Sequence, residues 1–344
     1  MSLRRLLLLP LTVAVVFAAE PAPAPTPTPT PPPTPTPVPA DTEDLFTMGQ
    51  ALFEALAPPE IKEEFAFPTR AQWDEFVARL EKTRESGSLA ELAAYEPEAR
   101  TALLALRALP EYKDYADWLE ERIDEIVVAK RAITPAPPPP PVDPAKPPVL
   151  PPPPPVTPVP SDIPLYDLWV SRVRERPRPA RADEFLAELK KVFRDEGLPV
   201  ELAWIPETES MFNPAAKSPA GARGLFQLMP VTAKAQGLSL FPFDERIHPE
   251  KSARAAATLL RRLHGMFDSW PLALAAYNAG EGRVRRVLKA EDAKTFAEIA
   301  DALPTETRLY VPKVLATLAV REGINPAKLA APSPAPAATA APRP

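Results

Sequence analysis

Residues 198–212 read LPVELAWIPETESMF, an apolar helical stretch that ends in a carboxylate at Glu209 and a hydroxyl at Ser210. Two further stretches interrupt the helical pattern. Residues 221–230 read GARGLFQLMP, two glycines before an apolar turn with one amide, and residues 276–282 read AYNAGEG, a helix end that opens into a glycine turn. Each signal is weak alone, because a glycine after a helix is most often its stop. Their order and spacing together form a specific pattern.

The segment around these stretches is helical in pattern. Apolar residues recur at helical spacing, and no alternating pattern is long enough to predict a strand. The periodicity predicts helices at residues 164–176, 181–196, 199–209, 249–266, 270–278, 281–289, 295–302 and 305–321. Because a segment of this size buries a single good core, residues 161–329 are predicted to form one all-α domain.

A second helical segment, residues 41–134, precedes this domain. Its apolar residues also recur at helical spacing, and prolines fall where helices stop or restart. It holds 21 acidic and 11 basic side chains, which are most simply the solvated faces of helices. No catalytic pattern is visible in it. One hypothesis, from charge and spacing alone, is that this module docks a protein partner.

Proline separates the two helical segments. The chain has 52 prolines, clustered at residues 20–40 and 135–160, which we expect to form extended polyproline II linkers. At ~3.1 Å per residue the second linker spans up to ~80 Å. Residues 330–344 are rich in alanine and proline and are expected to be disordered. The predicted fold class is all-α: a larger helical domain plus a separate small helical N-terminal module, joined by Pro-rich linkers.

The first 19 residues have the pattern of a secretory signal peptide. A basic start leads into an apolar stretch from Leu6 to Phe17, and small residues follow at Ala18 and Ala19. A membrane anchor is the alternative, but a helix that crosses a bilayer needs roughly 20 apolar residues and this run is shorter. We therefore expect residues 1–19 to direct export, with no stable membrane anchor.

Composition excludes several kinds of site. The chain has no cysteine, which excludes disulfides, a thiol nucleophile and a cysteine-ligated metal. Its two histidines, His248 and His264, lie at predicted helix ends, where they cap or complement the helix dipole, and a zinc site is not expected. Residues 161–330 hold 22 acidic and 25 basic side chains, which is no basic footprint for nucleic acid. We expect no metal and no cofactor.

The three stretches resemble the family 1 soluble-lytic-transglycosylase domain, and within it the membrane-bound D type. The family features are a Glu-Ser pair, a Gly-Leu-(aromatic or Met)-Gln-x-Met-Pro stretch and an Ala-Tyr-Asn-Ala-Gly turn. Further matches are DER at 244–246, PEKS at 249–252 and ETRLYVPK at 306–313. The resemblance runs from about Tyr166 to Ile324, roughly half the chain, and leaves residues 41–134 uncovered.

The resemblance implies a lysozyme-like helical fold around a glycan cleft, with peptidoglycan as substrate. Such enzymes cut the β-1,4 bond between N-acetylmuramic acid and N-acetylglucosamine and leave a 1,6-anhydro end without using water. They need one carboxylate as acid and base, whereas most glycosidases need two. A first-step acid is protonated near neutral pH, so its pKa must lie above the ~4.3 of free glutamate. We predict Glu209 in this role, with Trp204, Ile205, Met211 and Phe212 as nearby apolar residues.

Other carboxylates in the stretch fit less well. Glu207 points some 200° away from Glu209 on a helix, which favours a surface or supporting place. Glu201 lies two turns before Glu209, which favours a structural role. The resemblance also implies a set of substrate-binding residues: Ser210, Gln227, Met229, Tyr277, Asn278 and Tyr310. For Ser210 a capping hydroxyl is the alternative, and for Met229 core packing is the alternative.

Two other functions remain open at this stage. A muramidase of the goose-lysozyme type shares the fold and a glutamate but transfers the glycan to water. A catalytically inactive scaffold would bind the cell wall and recruit partners through its linkers and acidic module. The transglycosylase is the favoured interpretation, and an exported protein of this kind is expected in the periplasm or at the cell wall.

Overall fold

The protein is described by a computed structural model that covers residues 69–107, 112–135, 162–218 and 220–333, with single positions at 51, 54 and 55. In these ranges the regular backbone is helical. The extended pairing found there is limited to two isolated bridges, which join Arg223 to Lys217 and to Leu228. The predicted all-α class is confirmed for the described residues.

The N-terminal part contains helices α1 (Arg70–Ser86), α2 (Leu89–Ala93), α3 (Glu96–Arg107) and α4 (Lys113–Ile133). Two of them begin at reciprocal side-chain caps. Thr69 accepts a bond from the Gln72 amide while the Gln72 side chain accepts from the Thr69 amide, and Ser88 with Glu91 repeats the arrangement before α2. Such boxes satisfy two backbone donors that a helix start otherwise leaves unpaired.

The catalytic part contains α5 (Tyr166–Glu175), α6 (Ala182–Asp195), α7 (Ile205–Glu209), α8 (Pro230–Ala235), α9 (Pro249–Phe267), α10 (Trp270–Ala279), α11 (Glu281–Ala290), α12 (Phe296–Ile299) and α13 (Thr305–Glu322). Short 3₁₀ turns cover Val200–Trp204, Glu245–Ile247, Ala300–Ala302 and Pro326–Lys328. The predicted helices recur with ends shifted by at most two residues, except at two places.

Residues 199–209 are one of these exceptions. The sequence predicts one helix over residues 199–209, but the structure has a 3₁₀ turn up to Trp204 and then the short helix α7. Pro206 lies in the first turn of α7, where its missing N–H costs nothing, so it favours a new helix start over a continued one. The other exception is the break at Ala300, after which α12 continues as 3₁₀.

Helix α13 forms the centre of the molecule. Every residue from Leu309 to Ala319 is buried, and the helix packs against α1, α5, α7 and α10. A helix buried on all sides belongs to a core rather than to a surface. Tyr310 and Lys313 lie about one turn apart on it, so this helix carries polar groups into the interior.

The N-terminal helices pack directly on the catalytic part. Helix α4 contacts α5, and α1 contacts α13. Arg172 of α5 pairs with the buried Asp124 of α4 at 2.6 Å, and the Thr305 hydroxyl at the start of α13 donates to the carbonyl of Gly87. Sequence analysis treats this module as separate because a Pro-rich linker follows it and its charges suggest solvated faces. In the structure several of those charges face the catalytic part instead.

Several predicted segments lie outside the described residues. These are the signal peptide at 1–19, the linker at 20–40, the start of the N-terminal module, residues 136–160 of the second linker and residues 334–344 of the tail. Among the helices that are described, none combines the length and apolar character needed to cross a bilayer.

Candidate active site

Glu209 is the last residue of α7, and the backbone turns away directly after it. Met211 and Phe212 follow with φ of 50° and 58°, the left-handed region that non-glycine residues rarely adopt. The amides of Ser210 and Phe212 both donate to the carbonyl of Pro206, at 3.0 and 3.2 Å, which closes the helix. Phe212 is fully buried and packs edge-on against Trp204. Packing of this aromatic pair holds an unfavourable turn in place, and strain of this kind clusters at functional sites.

The Glu209 carboxyl is half-buried and accepts a hydrogen bond from the Tyr310 hydroxyl at 2.6 Å. Burial raises the pKa of Glu209 to about 8, against the opposing effect of the Tyr310 bond. The negative charges of Glu306 and Glu121 raise this pKa further, and the positive charge of Lys313 lowers it. The carboxyl is therefore protonated at neutral pH, as a general acid must be.

The loop before α8 lies against Glu209's neighbour. The Ser210 hydroxyl donates to the Leu225 carbonyl at 3.0 Å, and the Gln227 amide donates to the Gly224 carbonyl at 2.9 Å. Gly224 has φ of 82°, and a Cβ there would lie 1.9 Å from the Arg246 carbonyl oxygen. Only glycine fits this close approach, which is made to another loop of the same chain.

Arg246 holds this loop from the other side. Its side chain is buried, and its guanidinium donates to the carbonyls of Gly221 and Leu228 at 2.8 and 2.9 Å. Asp244 pairs with it at 2.8 Å, and this hydrogen bonding lowers the pKa of the Asp244 carboxyl. The DER stretch at 244–246 thus has a clear structural role, which sequence analysis noted only as a family match.

The end of α10 contributes two side chains. The Tyr277 hydroxyl donates to the Phe226 carbonyl at 2.7 Å, and burial raises the pKa of Tyr277, with the charge of Glu209 adding to the effect. The Asn278 amide nitrogen donates to Glu306 at 3.3 Å, and its amide oxygen accepts from the Thr307 hydroxyl at 2.7 Å. Both ends of the Asn278 amide are therefore held by the start of α13.

The remaining predicted residues lie at different depths. Met229 is 42% exposed at the start of α8, which disfavours the core-packing alternative. Glu207 is buried rather than on the surface, and both of its oxygens bond to Arg321.

His264 packs on the Trp270 ring, and burial lowers its pKa, so it is a packing group rather than a cation at the helix end. His248 precedes α9 but makes no side-chain cap.

Comparison with known proteins finds relatives for part of this chain. Residues 189–300 match the family model described as the transglycosylase SLT domain. Membrane-bound lytic murein transglycosylase D of Escherichia coli (strain K12) is 39% identical over 140 residues, 40% of this chain and 31% of that protein. The putative tributyltin chloride resistance protein of Alteromonas sp. (strain M-1) is 41% identical over 111 residues, 32% of this chain and 54% of that protein. The chain contains a lytic transglycosylase family 1 domain.

The chain spans about a third and about a half of the lengths of these two curated relatives. Among solved structures, the 70-kDa soluble lytic transglycosylase of Escherichia coli aligns with a TM-score of 0.40 at 24% identity, over 71% of this chain and 36% of that one.

The matched range and the site do not coincide. Glu209, Gln227 and Asn278 lie within residues 189–300 of the transglycosylase domain, whereas Tyr310 lies beyond it. The ETRLYVPK match in the sequence was the signal for that later part of the site. Glu306 and Lys313 lie in that match but have no site role in the family pattern, and Arg84 and Glu121 of the N-terminal helices lie outside it. Nothing in the local sequence around those two residues points to the transglycosylase domain.

Proposed function

We propose that this protein is a peptidoglycan lytic transglycosylase that cleaves the β-1,4 bond between N-acetylmuramic acid and N-acetylglucosamine. The product end is a 1,6-anhydromuramoyl ring, and Glu209 is the single acid and base. The observation that carries the proposal is one carboxyl with a pKa of about 8, bonded to a tyrosine hydroxyl, inside a domain of the lytic transglycosylase family.

The proposed reaction uses Glu209 twice. The protonated carboxyl gives its proton to the glycosidic oxygen, and the bond from that oxygen to C1 of the muramoyl sugar breaks. The substrate's own N-acetyl oxygen stabilises the cation that develops at C1. The ionised Glu209 then takes the proton from the C6 hydroxyl, whose oxygen bonds to C1 and closes the anhydro ring. Glu209 ends protonated, and no water is consumed.

Tyr310 supports the middle of this cycle. Its hydroxyl donates to the Glu209 oxygen, and a hydrogen bond to the charged form stabilises that form. The bond therefore assists the step in which Glu209 has lost its proton and waits as a base. Burial raises the pKa of Tyr310 well above its usual range, so its hydroxyl keeps its own proton through the cycle.

The other carboxylates of the α7 region are unsuited to a second catalytic role. Glu207 is buried in an ion pair with Arg321 at 2.6 Å. Glu201 lies on the 3₁₀ turn before α7, at the far end of the stretch. This supports a one-carboxylate scheme, in which the remaining predicted residues, Ser210, Gln227, Met229, Tyr277 and Asn278, bind the sugar.

Digestion of purified peptidoglycan sacculi tests the proposal. Mass spectrometry of the released muropeptides should show anhydro ends, which are lighter by one water than the reducing ends that a goose-type muramidase would leave. Glu209→Gln should lower the rate by at least ~10²-fold, the usual scale of general acid catalysis. Glu201→Gln, in the same stretch, serves as the matched control and should stay active. Reducing ends would establish hydrolysis. Equal release by wild type and Glu209→Gln would mean that the protein is an inactive scaffold or that another residue is the catalytic acid.

We further propose export of the protein to the periplasm or cell wall, on the basis of the pattern in residues 1–19 and of a wall substrate. Cell fractionation and N-terminal sequencing of the mature chain test this, and an intact Met1 in the cytoplasmic fraction would contradict it. A protein partner for residues 41–134 stays a prediction from charge and spacing.

A further inference from the structure

The N-terminal helices turn an unusual set of charges inward. Arg84 of α1 is 4% exposed, and Asp124 and Glu125 of α4 are 0% and 7% exposed. Charged side chains are almost never this buried unless they are paired. These three residues are paired, and part of the pairing is with side chains of α5 and α13 or directly after α5.

Arg84 lies at the centre of three carboxylates. Its guanidinium approaches Glu125 at 2.7 Å and Glu81 at 2.6 Å, both on the N-terminal helices. The third partner is Glu306 of α13, at 3.2 Å from Nη2. Because a guanidinium presents its donors in a rigid planar fork, Arg84 fixes the position of the Glu306 carboxylate relative to α1 and α4.

Glu306 connects this cluster to the site. The same carboxylate oxygen that faces Arg84 accepts the hydrogen bond from the Asn278 amide. The adjacent Thr307 holds the other end of that amide. The backbone next to Glu306 is also tied to α1, through the bond from the Thr305 hydroxyl to the Gly87 carbonyl. The contacts thus form one chain from Arg84 through Glu306 to Asn278.

We propose that Arg84 is a positioning residue of the catalytic site, which orients Asn278 through Glu306 and balances the negative charge that Glu306 brings near Glu209. The proposal rests on the proposed function for the role of Asn278 and Glu209. It gives the N-terminal helices a purpose that the sequence did not reveal: they complete the transglycosylase site.

The titratable groups around Glu209 come from several helices. Tyr310, Lys313 and Glu306 face it from α13, Tyr277 faces it from α10, and Glu121 faces it from α4. Glu306 is the member of this set that Arg84 contacts. Loss of the Arg84 charge leaves Glu306 uncompensated, which disfavours ionisation of Glu209. Loss of the Glu306 charge has the opposite effect on Glu209, although the same ion pair is broken.

Two substitutions of this one ion pair therefore give opposite results. Arg84→Met should raise the pKa of Glu209 and Glu306→Gln should lower it, each by about half a unit, the order expected for one charge at several ångströms. Arg84→Lys restores the charge and should return the pKa toward the wild-type value. Glu81→Gln is the matched control, because it removes another Arg84 partner without contact to Glu306, and it should leave the pKa unchanged.

The pKa of Glu209 is measured by ¹³C NMR titration of the full chain labelled at glutamate, with Glu209→Gln used to assign the signal. Circular dichroism identifies the variants that remain folded, and Glu306→Gln and Arg84→Lys keep the test available if Arg84→Met does not fold. Initial rates on sacculi should fall ~10-fold or more in Arg84→Met, as for a misplaced site group, and in Glu81→Gln they should not.

Shifts of the Glu209 pKa in the same direction in Arg84→Met and Glu306→Gln, or no shift in either folded variant, would overturn the proposal. If Arg84→Met fails to fold, an unchanged pKa in Glu306→Gln has the same consequence. The titration does not depend on turnover. Opposite shifts in a chain that releases no anhydro product would therefore support the role of Arg84 while the proposed function itself fails.

Discussion

At the scale of single residues, the burial that keeps Glu209 protonated also means that its ionised form destabilises the folded state. Its carboxyl has a pKa of about 8 in the folded chain against 4.5 in the unfolded one, so the folded state holds the proton more tightly. The stabilising effect of that proton is fully present below pH 4.5 and is lost as the pH rises to about 8.

Glu209→Gln should therefore stabilise the protein in a pH-dependent way. The variant has no proton to lose, so its free energy of unfolding should exceed that of wild type by an amount that grows between the two pKa values and then levels off. After an allowance for solvent at the half-buried carboxyl, the gain above pH 8 is on the order of 2 kcal/mol. Urea denaturation of both proteins from pH 4 to pH 9 measures it. A constant difference across that range would contradict a raised pKa.

Tyr310→Phe should move the pH dependence of activity. Without the donated hydrogen bond, which lowers the pKa of Glu209, that pKa rises above about 8 and the alkaline limit of kcat/KM shifts to higher pH. The rate should fall by ~10–100-fold, the scale of a lost hydrogen bond to a charged group. Initial rates on sacculi from pH 5 to pH 10 show both effects. Tyr277→Phe is the control for the position of the alkaline limit and not for the rate, since its hydroxyl bonds to a backbone carbonyl and not to Glu209. A limit that moves to lower pH in Tyr310→Phe would count against the assigned geometry.

At this scale the sequence predicts several residues of the candidate site. Glu209 was identified as the carboxyl to be shielded, and the structure places Tyr310 in contact with it across 101 residues of sequence. The family resemblance is what predicts Tyr310 as a site residue, because no local pattern relates two residues so far apart. Arg84 and Glu121 had no motif to reveal them, since a charge on a helix is usually solvated. Their role depends on the side chains from other helices that the tertiary fold places next to them.

At the scale of elements, the loop that carries Gln227 depends on a missing side chain. Gly224→Ala should destabilise the fold by about 3 kcal/mol or more, because the new Cβ meets the Arg246 carbonyl and the left-handed backbone alone costs about 1–2 kcal/mol. Gly221→Ala is a matched control, with a similar φ of 88° and open space around its Cβ, and should show the backbone cost only. Chemical denaturation distinguishes the two. Equal losses in both variants would mean that the loop moves freely away from Arg246.

The helices themselves were largely predictable, and the exceptions have physical reasons. Periodicity gives the position of α9 and α10, where Pro249 and Ser269 mark the starts. It does not separate a 3₁₀ turn from an α-helix, since both place apolar residues on one side, and so residues 199–209 were predicted as one helix. Here the difference matters, because the break before α7 sets the direction in which Glu209 points.

At the scale of the whole molecule, the sequence suggested two bodies and the structure brings their helices together. A proline-rich linker and an acidic composition are typical of independent modules. Composition does not show which charges find partners in a folded state. Asp124 illustrates this: it is one acidic residue among many in α4, but it is fully buried and paired with Arg172 and Arg176. Long-range pairing of this kind is a property of the fold and not of any local pattern.

Because ion pairs join the two parts, we expect the described helices to unfold in one cooperative transition at neutral pH and in two in acid. Against the opposing effect of burial, Arg84 and Lys313 lower the pKa of Glu125, and Arg172 and Arg131 lower the pKa of Glu175. Lys313 and Arg131 are the partners that face these carboxylates across the contact between the two parts. A lowered pKa contributes stability above the unfolded value of 4.5 that is lost as the pH falls below it. Differential scanning calorimetry at pH 7 and about pH 3 tests this, and two transitions at pH 7 would show that the N-terminal helices fold independently.

Two substitutions separate the buried contact from the exposed one. Asp124→Asn removes the negative charge that Arg172 and Arg176 share. For a buried pair this lowers the free energy of unfolding by about 3–5 kcal/mol, so the transition should split already at pH 7. Arg131→Gln removes an exposed pair, worth at most about 1 kcal/mol, and should leave one transition. A single transition in both variants would mean that apolar packing alone joins the parts. In that case the buried charges would serve the site rather than the assembly of the fold.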